Sequence, residues 1–152
     1  MGSGGSSGKR AARQAALRRA FVTYRETGSL AALEGCIEAY RLLIPTLDET
    51  KVEHGNAVLD LAQLFGTRWA LTRSDLHWAE AEETINAFRA RIPQSDWREP
   101  LYALAQGVLL YQRADATETL EDVANALGQL QEARAGVRRG SSDCDGMRRS
   151  KI

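Results

Sequence analysis

Apolar residues recur along this chain at intervals of three and four positions, which places them on one face of a helix. Six such stretches follow one another, separated by short links that are polar or contain glycine or proline. They cover about residues 10–24, 30–44, 56–68, 74–92, 101–113 and 117–134. No segment alternates with a period of two, so the sequence predicts an all-α fold.

Residues that favour helix ends mark the boundaries of these stretches. Gly28 can adopt the left-handed conformation that closes a helix, and Ser29 can cap the next one. The run from Thr50 to Glu53 has the form of a capping box, which predicts the start of the third helix. Residues 69–73 are interpreted as a link to the fourth helix. Further boundaries are indicated by Pro45, Ser74, Pro93, Asp96 and Pro100.

The stretches repeat one another at a nearly constant distance. Pairs separated by 45 positions are Ala62 and Gly107, Leu64 and Leu109, and Arg68 and Arg113, and pairs separated by 48 are Tyr40 and Phe88, and Pro45 and Pro93. A partner helix can approach closely only over a small side chain, so Ala62 and Gly107 are predicted to be sites of tight helix packing. The pattern predicts about three helical hairpins stacked in series.

These features resemble the tetratricopeptide-repeat family. That family combines a small residue in the first helix of each hairpin with an A-x3-F motif and a closing proline. Here the two small residues take the first site, and Ala81, Ile85, Phe88 and Pro93 follow the rest of the pattern. The period is about ten residues longer than usual, as in the long-period repeats of actinobacterial proteins, and HEAT-like helix pairs have a comparable period. The resemblance implies an α-α superhelix of about three helical hairpins, with a concave groove that binds a partner peptide.

Composition sets the two ends of the chain apart from the helical-repeat domain, which is predicted to span residues 10–135. Residues 1–9 are rich in glycine and serine and are interpreted as a flexible leader or tag. Residues 136–152 show no periodicity and are predicted to be a disordered tail.

Charge is distributed unevenly, although 20 basic residues balance 20 acidic ones. Residues 1–25 hold six basic and no acidic residues, and residues 133–152 hold six basic and two acidic ones, which leaves a formal charge of −10 on the middle of the chain. An acidic body indicates a basic protein partner and argues against a nucleic-acid surface. The acidic run from Glu80 to Glu83 is interpreted as a solvated helix face.

The sequence shows no recognisable reaction chemistry. His54 and His77 are too few for a metal site, and no catalytic triad, phosphate-binding glycine loop or paired CxxC motif is present. Cys36 lies in an apolar stripe and Cys144 in the polar tail, which predicts reduced thiols in a cytoplasmic protein. No apolar run approaches the roughly 18 residues of a membrane span. We therefore expect no cofactor, no metal and no membrane partner.

The predicted function is non-enzymatic binding of a protein or peptide in the concave groove. Polar residues of the first helices that lie off the apolar stripe are expected to line it, and they are Asn56, Asp60, Gln63, Tyr102 and Gln106. The alternative is a small helical enzyme or ligand-binding accessory protein, with a pocket between hairpins lined by Trp78, Tyr102 and Tyr111. An open groove favours the first function, and a deep pocket with converging polar groups favours the second. The outermost helices are expected to act as caps or to form a homo-oligomer.

Overall fold

The computed structural model describes residues 2–117 and 124–136. The α-helices in these ranges are α1 Gly2–Thr27, α2 Leu30–Leu43, α3 Val52–Thr72, α4 Asp75–Ala90, α5 Glu99–Thr117 and α6 124–136. A short 3-10 turn, Ile44–Thr46, follows α2. No strand occurs in the described ranges, so the predicted all-α class is confirmed. None of the described helices is both long and apolar enough to cross a membrane.

Two helix ends differ from the positions that the sequence predicts. Helix α1 begins at Gly2, so residues interpreted as a leader continue directly into the first helix. Thr117, predicted to begin the sixth helix, is instead the last residue of α5. All of the predicted tail 136–152 except its first residue lies outside the described residues, and the domain limits stay a prediction.

The local signals at two helix starts and one helix end are confirmed. Gly28 closes α1 with φ of 59°. The Ser29 hydroxyl oxygen accepts a hydrogen bond from the Ala32 N–H, and the Ser74 hydroxyl oxygen accepts one from the His77 N–H. These caps depend only on residues within one helical turn, which is why the sequence is sufficient to place them.

Two other local predictions are wrong. The N-cap of α3 is Lys51, which makes no side-chain capping bond. The Thr50 hydroxyl donates instead to Asp48 Oδ1 at 2.6 Å, so the capping box does not form. Helix α3 continues through most of the predicted link 69–73 and ends at Thr72, where Arg73 caps it in the left-handed conformation with φ of 52°.

Helix α3 is the centre of the fold and packs against α2, α4 and α5. Two of its glycines let α5 approach closely. A Cβ on Gly55 would lie 2.8 Å from Leu101 Cδ1, and a Cβ on Gly66 would lie 3.2 Å from Gln112 Cβ. Both contacts join residues 46 positions apart, so α3 and α5 lie side by side and run in the same direction.

The parallel course of α3 and α5 is consistent with the spacing of about 45 residues between similar positions in the sequence. Close packing at Gly107 is as predicted, since a Cβ there would lie 3.1 Å from Leu130 Cδ2 of α6. Ala62 is fully buried, and close helix packing over it stays a prediction. Within the described residues, α1 packs on α2 and the Ile44–Thr46 turn, and its backbone does not approach that of α3 closely. The first hairpin thus stacks differently from the later two, and the class of helical repeat stays a prediction.

One apolar core joins helices α2 to α5. Its largest fully buried side chains include Leu33, Ile37, Leu61, Phe65, Ile85, Tyr102 and Leu109. Leu76, which continues the apolar stripe of α4 in the sequence, is 82 % exposed. It lies in the first turn of α4, beyond the point where the helix meets the core.

Candidate functional site

The predicted groove residues of α3 lie on one exposed face. Asn56, Asp60 and Gln63 are spaced by four and three positions, and all three are exposed. Asp60 Oδ2 accepts a hydrogen bond of 2.9 Å from the Tyr40 hydroxyl of α2. Burial, and then the Asp60 carboxylate, raise the pKa of Tyr40, so the phenol stays protonated and acts as the donor. These three residues are accessible to a partner, and their role in binding stays a prediction.

The predicted groove residues of α5 are less accessible than those of α3. Tyr102 is fully buried, so its side chain is not part of the exposed surface, and its role in binding stays a prediction. Gln106 is half-buried and hydrogen-bonds Asn86 and Arg89, both on α4. Asp60 is hydrogen-bonded to α2 and Gln106 to α4, so the polar ends of these two side chains are held by different neighbouring helices.

The three aromatic residues of the alternative pocket lie in different surroundings. Trp78 packs edge-on against Trp69, with ring centroids 5.6 Å apart, and the Arg113 guanidinium lies 4.4 Å from the Trp78 ring centroid. Tyr111 is 48 % exposed, whereas Tyr102 is inside the core. Trp78 therefore covers a junction between helices.

A different cavity opens where the first hairpin meets the second. We call it the interhairpin cleft; its volume is 510 Å³, and it lies between the Ile44–Thr46 turn, the start of α3 and the end of α4. Its apolar lining includes Ile44, Leu47, Leu61 and Phe88, and its polar lining consists of Arg41, Glu49, His54, Thr84 and Arg91. An apolar cavity of this size with few polar groups has the general form of a binding site.

The charged groups at the rim of the interhairpin cleft are paired with carboxylates. Arg91 Nη2 lies 2.5 Å from Glu49 Oε1, and Arg41 forms an ion pair with Glu80. The arginines are thus neutralised within the protein and do not converge on a common point. Recognition in the cleft is therefore expected to depend mainly on apolar contact.

His54 forms the buried polar end of the interhairpin cleft. His54 is 3 % exposed, and its Nδ1 lies 2.7 Å from the Tyr102 hydroxyl oxygen. The Phe88 ring meets the imidazole edge-on, with centroids 5.6 Å apart. Burial lowers the pKa of His54, so its imidazole is neutral at pH 7. The sequence offered no signal for this pair, because its members are 48 positions apart.

The buried imidazole predicts that stability falls as the pH is lowered. The folded-state pKa of His54 lies below 6.5, the value of an exposed histidine. At pH below 6.5 the unfolded chain therefore binds a proton at His54 more readily than the folded chain does. The stabilisation is present above pH 6.5 and is lost as the pH falls through the folded-state pKa. Urea denaturation between pH 7 and pH 5 measures the effect.

The matched control for this pH dependence is the second histidine. A His54→Phe/Tyr102→Phe protein is expected to lose the histidine component of the pH dependence, because both members of the buried pair become apolar. A His77→Phe protein is expected to keep it. Equal pH profiles in wild type and the double variant would contradict the assignment.

An ion network closes the side of the cleft nearest Arg41. Arg68 is 4 % exposed and reaches Glu34 of α2 at 3.1 Å and Glu80 of α4 at 2.7 Å. The guanidinium groups of Arg68 and Arg41 lie 5.2 and 5.6 Å from the centroid of the Phe65 ring. Glu80 is therefore part of an ion network, and its interpretation as a purely solvated residue is wrong. The network joins three helices and holds one wall of the cleft.

The remaining candidate groups offer no reactive arrangement. Cys36 is fully buried, as its place in the apolar stripe predicts, and burial raises the pKa of its thiol. Among residues 2–117 and 124–136, no three side chains of His, Cys, Asp or Glu are grouped so as to hold a metal ion.

Comparison of the chain with protein-family models, with curated proteins and with solved structures finds no match. The resemblance to tetratricopeptide repeats therefore stays a prediction. The geometry of the interhairpin cleft and the charges around it are the features of the molecule that bear on function.

Proposed function

We propose that this protein is a non-enzymatic interaction module that binds a segment of a partner protein, with an apolar side chain of the partner inserted into the interhairpin cleft. The observation that supports this function most directly is the cleft itself, an apolar cavity of 510 Å³ at the junction of two hairpins. Residues that bind strongly at protein interfaces are typically large side chains that fill such cavities.

The polar groups of the cleft favour binding over catalysis. An enzyme needs charged or nucleophilic groups that converge on a reacting atom. Here Arg41 and Arg91 are paired with carboxylates of the same chain, and His54 is a neutral, buried imidazole held by Tyr102. Fixed charge pairs around an apolar floor suit an anchor side chain, with the rim contacting the flanking backbone.

The charge of the protein supports a partner with basic residues beside the anchor. The body between residues 26 and 132 has a formal charge of −10, and Asp48 and Asp60 are exposed. Basic flanking residues would raise the association rate with such a surface, and added salt would reduce that gain. We infer a cytoplasmic setting from the buried Cys36 thiol, which is unpaired with any other described cysteine.

Blocking the cleft provides the test. Thr84 lines the cleft from α4, and its neighbour Glu83 is exposed outside it. Thr84→Trp is expected to fill the cavity, and Glu83→Trp adds the same side chain to the same helix without entering it. Peptides selected from a random display library on wild type should bind Thr84→Trp at least about 30-fold more weakly, which corresponds to the loss of one strongly bound anchor. The same peptides should bind Glu83→Trp with unchanged affinity.

Affinities are measured by fluorescence anisotropy, after circular dichroism has shown that both variants fold. Equal binding of the selected peptides to wild type and Thr84→Trp would overturn the assignment of the site. A library that yields no binding peptide, together with an amphipathic fluorescent probe that binds wild type but not Thr84→Trp, would favour the small-molecule alternative.

A further inference from the structure

One nitrogen in the interhairpin cleft has no partner. His54 Nδ1 is engaged by the Tyr102 hydroxyl, and Nε2, on the other side of the ring, forms no hydrogen bond with any described residue. Nε2 keeps some accessible surface, unlike the fully enclosed unpartnered atoms of the described residues. Because His54 lines the cleft, this surface is reached from the cavity. An unpaired polar atom in an apolar cavity favours a ligand that supplies the missing hydrogen bond.

The two possible tautomers of His54 restrict the chemistry of that ligand. If Tyr102 donates to Nδ1, the proton of the neutral ring is on Nε2, and the ligand must accept. If Nδ1–H donates to Tyr102, Nε2 is an acceptor, and the ligand must donate. A hydroxyl group satisfies both cases, whereas an ammonium group can only donate and an ionised carboxylate can only accept. An ionised group would also lose its hydration in the cavity without a paired charge.

The lining of the cavity restricts the body of the ligand. The Phe88 ring stands edge-on to the imidazole, so the polar end of the cleft is already bounded by two rings. Ile44 and Leu61 complete the apolar lining near them. Aromatic rings pair well in offset or edge-to-face arrangements with centroids about 4.5–7 Å apart. A further aromatic ring therefore suits the space beside Phe88.

We propose that the cleft binds the phenol of a tyrosine side chain from the partner protein, with the phenolic hydroxyl on His54 Nε2 and the ring beside Phe88. The inference rests on the proposed function for the identity of the partner, but the phenol site can be tested without a peptide. Basic residues beside the tyrosine complement the acidic body of the protein.

The test uses p-cresol, which is the tyrosine side chain as a free molecule, and toluene, which is the phenylalanine side chain. The chain contains two histidines, so ¹⁵N spectra of the imidazole rings at pH 7 give two sets of signals. His77 is the internal control, because its Nδ1 pairs with the Thr72 hydroxyl at 2.8 Å and it does not line the cleft. We expect p-cresol to shift the Nε2 signal of His54 and to leave His77 unchanged, and we expect toluene to leave His54 Nε2 nearly unchanged.

A second measurement uses peptides selected on the wild-type protein, each compared with its Tyr→Phe version. Wild type should bind the tyrosine form about 5- to 10-fold more tightly, which is the usual contribution of one buried hydrogen bond to binding affinity. His54→Phe should bind both forms equally. The spectra of wild type keep the proposal testable if that variant fails to fold.

The outcomes separate this inference from the proposed function. An unchanged His54 signal with p-cresol, or equal shifts with p-cresol and toluene, would overturn the phenol site even where peptides bind the cleft. A selective shift with p-cresol but no peptide from the library would support the phenol site and count against the protein partner.

Discussion

Phe65→Ala is expected to lower the free energy of unfolding by about 3–5 kcal/mol, the usual cost of removing a large aromatic side chain from a core. Phe65 is fully buried on α3, where that helix meets the other helices of the core. Its ring also lies beside the guanidinium groups of Arg41 and Arg68. The substitution leaves a cavity and removes the apolar surface against which both cations pack. Urea denaturation of wild type and variant at pH 7 measures the loss.

Leu71→Ala is the matched control for this loss. Leu71 is on the same helix but is 61 % exposed, so the change should alter the free energy of unfolding by less than about 0.5 kcal/mol. Similar losses for the two substitutions would show that Phe65 is not the packing centre that the structure indicates.

Gly66→Leu and Gly35→Leu are expected to change stability in opposite directions. A Cβ at Gly66 would lie 3.2 Å from Gln112 Cβ, and the remaining atoms of a leucine would force α3 and α5 apart. Such overpacking costs about 1–3 kcal/mol. A Cβ at Gly35 on α2 meets nothing within 4 Å, so leucine there should add about 0.5–1 kcal/mol through its higher helix propensity.

Thermal melts followed by circular dichroism compare the two glycine variants with wild type. Both changes replace a helical glycine with the same residue, so the difference between them reports the contact between α3 and α5. Stabilisation by leucine at both positions would contradict the close parallel packing of these helices.

The candidate site shows which predictions needed the fold. Asn56, Asp60 and Gln63 are exposed on one face of α3, as their spacing off the apolar stripe indicates. Tyr102 has a polar tip and fits either a surface or a core, and only its contact with His54 places it in the core. The interhairpin cleft was missed because its walls come from three separate elements, and no local pattern of residues marks it.

The helices follow from local features of the sequence, and the repeat stays a prediction. Apolar spacing, Gly28, Ser29 and Ser74 act through neighbours within one or two turns. The helices of residues 2–117 and 124–136, and several of their ends, therefore follow from local residues. Similar residues 45 positions apart also predict that α3 and α5 occupy the same place in successive hairpins.

How the hairpins meet and which polar groups are buried depend on contacts between residues far apart in the chain. The contact of Gly55 with Leu101, the pair of His54 with Tyr102 and the ion pair of Arg68 with Glu34 each join residues more than 30 positions apart. The energies of these contacts depend on distances between helices that can approach in several ways with the same apolar stripes. Local pattern fixes which face of a helix is buried, whereas the position of α1, the burial of Arg68 and the form of the cleft depend on the packed arrangement of all the helices.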